Sequence, residues 1–108
     1  MSYGTIALIL AVHYVADFLL QSDWMAQNKS KAWKPLLVHI GVYTAALLVL
    51  GPLWAVCNGV AHLVTDYFTS RATSRLFAAK EIHWAFAVIG LDQLVHTLTL
   101  LGTWDALH

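Results

Sequence analysis

Histidine and aspartate recur four residues apart three times in this chain, as His13/Asp17, His62/Asp66 and Asp92/His96, with a further histidine at His39. On a helix that step puts both members of a pair on one face, about one turn apart. The apolar stretches around them hold no Lys, Arg or Glu. A carboxylate buried there without a partner costs several kcal/mol, and burial also disfavours an imidazolium partner. A divalent cation is therefore the strongest compensation left. His13, Asp17, His39, His62, Asp66 and His96 are the candidate ligands, and Asp92 is a further ligand or a general base. Gln21, Asn58, Gln93 and Tyr43 lie within a turn of them and could orient the ligands.

The donor set selects the chemistry. Mixed imidazole and carboxylate suits zinc, manganese or iron better than calcium or magnesium. The single cysteine, Cys57, excludes a thiolate zinc set and any internal disulfide, and reads as a small packed thiol. A ligand position left to water would give a nucleophile near neutral pH. Each pair also has a plainer reading as a His–Asp hydrogen bond that neutralises two buried groups. Asn58 reads equally as a tie between helices, Gln21 as an interfacial helix end, and His83 and His108 as surface residues.

Four apolar segments carry these groups, at roughly 4–21, 36–50, 53–69 and 84–102. Of the 108 residues, 59% are hydrophobic and 11% charged, less than half the charge of an ordinary soluble domain. The expected fold is all-α: one polytopic membrane domain over 1–108, with four transmembrane helices in a compact bundle. A soluble four-helix bundle is the alternative, given the shortness of the two middle segments. Gly51-Pro52 breaks the chain between those two and predicts a tight hairpin.

All six Lys and Arg fall in two connections, Lys29, Lys31 and Lys34 in one and Arg71, Arg75 and Lys80 in the other. The positive-inside rule then makes loops 22–35 and 70–82 cytoplasmic and both termini non-cytoplasmic. Orientation by that rule brings His13/Asp17, His39 and His62/Asp66 to one depth, with Asp92/His96 somewhat deeper. A zero formal net charge leaves no electrostatic footprint for nucleic acid.

The stretches H-Y-V-A-D-F-L-L-Q-S-D-W-M-A-Q-N-K (13–29), His39, H-L-V-T-D-Y (62–67) and D-Q-L-V-H (92–96) resemble the small bacterial and phage membrane proteins grouped as domain of unknown function 3307. The likeness covers nearly the whole chain and brings no established activity. It implies that His13, Asp17, Gln21, Lys29, His39, His62, Asp66, Asp92, Gln93 and His96 match the family's polar motif, and it places the chain in a bacterial inner membrane. A Lys often stands in that family three residues after the third helix's HxxxD, where this chain has Thr69. Scattered His and Asp on membrane helices are also similar, by analogy only, to membrane-bound metal-dependent hydrolases.

These observations favour a membrane protein with an intramembrane divalent-metal site, acting as a hydrolase on a lipid or lipid-linked substrate. The alternatives are a small proton- or metal-coupled transporter or channel, and a non-catalytic membrane subunit. The bilayer is the expected partner. The small size of the chain suggests a homodimer.

Overall fold

The apolar runs fold as helices, and their ends follow local chemistry. A computed structural model describes residues 1–108 and contains helices and turns with no strand. Ser2 caps α1 (Tyr3–Tyr14), its hydroxyl accepting from the Thr5 amide at 3.1 Å. The chain then widens into a π-helical turn, Val15–Leu19, closed by the Leu20 amide donating to the Val15 carbonyl at 2.9 Å. Ser22 caps the short α2 (Asp23–Asn28) in the same way as Ser2 caps α1.

Helix α3 (Trp33–Leu47) runs on into one 3-10 turn, Leu48–Leu50. Gly51 follows with φ 143°, a conformation that L side chains rarely adopt. Pro52 opens α4 (Pro52–Ala78) at a position where its missing N–H costs nothing. The expected hairpin is thus present, built from a 3-10 turn, a glycine and a proline. Helix α5 (Ile82–Trp104) returns along α4.

Helix lengths differ from the segments drawn on the sequence. The second helix starts three residues earlier, at Trp33, and the third continues through the basic stretch to Ala78. Two helices, rather than the expected four, are long and apolar enough to cross a membrane, Trp33–Leu50 and Ile82–Trp104. Tyr3–Leu19 is apolar but short. Helix α4 has the length, but Asn58, His62, Asp66, Ser70, Arg71 and Arg75 dilute its hydropathy.

Polar groups share the interior with apolar ones, and many large hydrophobic side chains face outward. Eleven hydrophobic and nine polar or charged residues are buried, while 27 large hydrophobic residues are exposed. An ordinary soluble interior holds few such polar groups. An apolar plug of Ile9, Ala16, Tyr43, Leu47, Trp54, Ala55 and Leu100 packs the interior. Trp54 Nε1 donates to the Leu100 carbonyl there, at 3.1 Å. The polar cluster lies just beyond the plug. Cys57, expected to be packed, is exposed on the outer side of α4.

Candidate metal centre

Asp17 lies within the π-helical turn. Its pairing with His13, four residues earlier, is loose, His13 Nε2 to Asp17 Oδ2 at 3.9 Å. Asp17 instead reaches across the bundle, its Oδ1 lying 3.1 Å from His39 Nε2 and 3.4 Å from His62 Nε2. The two Nε2 atoms are 3.1 Å apart. Three buried donor atoms from three helices thus form a triangle.

That triangle has the size of a coordination face. Zinc-type bonds of about 2.0–2.1 Å in tetrahedral geometry separate neighbouring ligand atoms by roughly 3.3 Å. Asp66 Oδ2 stands beside the triangle, 3.6 Å from His39 Nε2 and 3.8 Å from His62 Nε2. It is buried and makes no well-directed hydrogen bond. The meeting of two imidazoles and a carboxylate in the triangle is a donor set that fits a cation.

His13 has a different place. Tyr43 O–H donates to its Nδ1 at 2.9 Å, and its Nε2–H donates to Gln93 Oε1 at 2.8 Å. That orientation of the Gln93 amide follows from its other contacts. Its nitrogen donates to Asp17 Oδ2 at 2.9 Å and to Asp92 Oδ2 at 3.2 Å, and carboxylates only accept. Both ring nitrogens of His13 are therefore occupied, and the Tyr43–His13–Gln93 chain ends on the far oxygen of the candidate ligand Asp17.

Asp92 and His96 join the same cluster. The His96 ring stacks on His62 with centroids 3.7 Å apart and planes 4° from parallel. His96 Nε2 lies 3.1 Å from Asp92 Oδ1, and His96 belongs to two further groupings, with His62 and Asp66 and with Asp17 and Asp92. Thr69, standing where the family pattern often has Lys, donates to Asp92 Oδ1 at 2.6 Å. Asn58 takes no part in the cluster. Its side-chain nitrogen donates to the Trp54 carbonyl at 2.9 Å and to Thr103 Oγ1 at 3.0 Å, tying α4 to α5. His108 bonds the Leu50 and Trp104 carbonyls, and His83 is exposed.

A basic partner for one aspartate is present, contrary to the reading of the apolar segments alone. Lys29, at the end of α2, reaches back to Asp66, with Nζ 3.0 Å from Oδ2 and 3.3 Å from Oδ1. Searching for counter-charges only within the segment bearing the acid could not find it; the family motif, which includes Lys29, does point there. A cavity of about 310 Å³ opens beside this pair, with Asp17, Asp66, Asp92, Gln21, Lys29 and Gln93 on its wall. None of the histidines lines it, so the imidazoles stand behind the carboxylates.

The polar residues that build this arrangement are those of the motif noted in the sequence. A family model described as a protein of unknown function, DUF3307, matches residues 5–107. The chain belongs to the DUF3307 family. No curated protein and no solved structure matches it. For this DUF3307 member the chemistry of the cluster is thus the guide to function.

Proposed function

We propose that this DUF3307 protein is an integral membrane, metal-dependent hydrolase acting on a lipid or lipid-linked substrate. The observation that carries the reading is the triangle of Asp17 Oδ1, His39 Nε2 and His62 Nε2, with edges of 3.1, 3.1 and 3.4 Å, beside a cavity of about 310 Å³. Three protein ligands and one position open to a cavity are the usual plan of a catalytic zinc-type site. The ion is a divalent transition metal, with zinc, manganese and iron all suited to the donors. Asp66 flanks the open position from the side of Lys29.

A divalent ion held by Asp17, His39 and His62 would supply the Lewis acidity that lowers the pKa of a water entering from the cavity. The water oxygen attacks the acyl carbon or phosphorus of the ester while the bond to the leaving oxygen breaks. Asp92, on the cavity wall and held by Thr69 and Gln93, takes the water's proton and returns it to the leaving oxygen. The 27 large hydrophobic residues facing outward support a bilayer around the bundle. The lysines and arginines of loops 22–35 and 70–82 support a cytoplasmic cavity mouth, and a bacterial inner membrane is the matching location.

Elemental analysis of protein purified in detergent tests the centre, and release of alcohol or phosphate from metal-loaded protein tests the activity. One ion per chain is expected in the wild type and none in His39→Asn. Full occupancy in that variant, or equal turnover after chelation, rejects the reading.

A further inference from the structure

The cavity has a second wall that the metal centre does not use. Along α4 the sequence repeats Thr69-Ser70-Arg71 as Thr73-Ser74-Arg75, a four-residue step that stacks hydroxyls on the face that carries Asp66. Thr69, Ser70, Thr73 and Ser74 all line the cavity, opposite Lys29 and Ser30 from the first connection. Ser30 and Ser74 hold the two sides together through a 2.7 Å hydroxyl contact. Ser70 is 8% exposed, and its Oγ has no hydrogen-bond partner. Gln21 Oε1, also on the wall, is a buried acceptor without a donor. Native interiors leave few such groups unmatched.

We infer that this wall binds the phosphoryl group of a phosphoester whose alcohol part carries a free hydroxyl. The inference rests on the proposed metal centre and names the substrate class for that site. A phosphoryl group presents several strong acceptor oxygens at once. Ser70, Thr73 and Lys29 supply donors for them beside the metal, whereas Gln21 Oε1 accepts from the hydroxyl. A carboxylic ester has too few acceptors to satisfy the same wall. Charge imposes a condition. Asp17, Asp66 and Asp92 against Lys29 give the lining a formal charge of −2, so a phosphate enters only when a divalent ion offsets the carboxylates. The rim is apolar, with Phe18 and Phe77 both substantially exposed beside Ile89. It admits either a lipid headgroup with its chains outside or a free phosphoester.

The test is calorimetric titration of zinc-loaded, detergent-solubilised protein with inorganic phosphate, glycerol phosphate and short-chain phosphatidylglycerol, with metal content measured on each sample. Glycerol phosphate or the lipid should bind more tightly than inorganic phosphate, and chelation should abolish binding. Ser70→Ala should weaken binding between about tenfold and about a hundredfold, the worth of a hydrogen bond to a charged group, at unchanged metal content. Gln21→Ala should remove the preference over inorganic phosphate. Tighter binding of the lipid that Phe77→Ala removes assigns a membrane source; equal binding of lipid and glycerol phosphate assigns recognition of the phosphoglycerol alone. Metal-loaded protein that binds none of the three, or binds them equally well as Ser70→Ala, overturns this inference and leaves the metal centre standing. Protein that holds no metal overturns the centre instead; in that case Ser70-dependent phosphate binding retains the wall, and its absence removes both.

Discussion

Lys29→Met removes the one ammonium within ion-pair distance of the buried carboxylates. Its Nζ lies 3.0 Å from Asp66 Oδ2, and the two side chains are 16% and 2% exposed. At that separation two unit charges attract by about 5 kcal/mol at an effective dielectric constant of about 20. Breaking a buried pair by removing one partner costs about 3–5 kcal/mol, because a charge is left uncompensated. The partial exposure of Lys29 places this case at the low end, about 3 kcal/mol. A metal ion bound at Asp17, His39 and His62 changes the outcome, since it gives Asp66 another positive neighbour. The cost should then fall below about 1 kcal/mol by the same reasoning. Thermal unfolding followed by fluorescence of the five tryptophans, in detergent with chelator or with zinc, reads the difference. In chelator the variant should melt lower by on the order of 10 °C, and in zinc by only a few degrees. Asp66→Asn combined with Lys29→Met should cost less than the sum of the single changes, by about 2 kcal/mol. Equal melting of the variant and the wild type in chelator, with no coupling to Asp66→Asn, would show that Lys29 does not neutralise the buried aspartate.

Gln93→Leu strips partners from His13, Asp17 and Asp92 together, and should lower metal affinity by about tenfold to a hundredfold in competition with a chelating dye; an unchanged affinity counts against the Tyr43–His13–Gln93 chain as the support of Asp17. Gly59→Ala puts a Cβ onto Thr44 Oγ1 and 3.2 Å from Thr44 Cβ, so it should force α3 from α4 at a cost of about 1–3 kcal/mol; a melting temperature within a degree of wild type contradicts that close approach. Asn58→Ala should cost about 0.5–1 kcal/mol through the lost tie to Thr103, and because Asn58 is outside the cluster, elemental analysis should find the metal content unaltered.

Much of the architecture is legible along the chain. Apolar stretches free of Lys, Arg and Glu mark the helices, and Gly51-Pro52 marks the hairpin between α3 and α4. The helix of 27 residues was harder to see, because the hydroxyl and arginine stretch from Thr69 to Arg75 ends the apolar pattern without ending the helix. Arg71, Ala72 and Arg75, together with the absence of Gly or Pro before Ala78, carry the hydrogen-bond ladder onward despite the weaker helix preference of the Thr and Ser between them.

Residue types alone determined that this protein gathers imidazole and carboxylate inside an apolar bundle, because the Asp and His of those segments have no Lys, Arg or Glu among their segment neighbours and must find partners in the interior. The four-residue spacing fixed which residues share a helix face, since that follows from helical geometry. Only the tertiary structure decided who meets whom. Asp17 meets His39 and His62 instead of His13, Tyr43 and Gln93 occupy both nitrogens of His13, and α2 delivers Lys29 to Asp66 from a distant part of the chain. The hydroxyl repeat of α4 acquires meaning in the same way, as it lines a cavity only once the first connection packs against it. Spacing along one helix sets a direction, but a ligand set needs lone pairs from several helices to converge within a few ångströms, and that is fixed by how the helices pack.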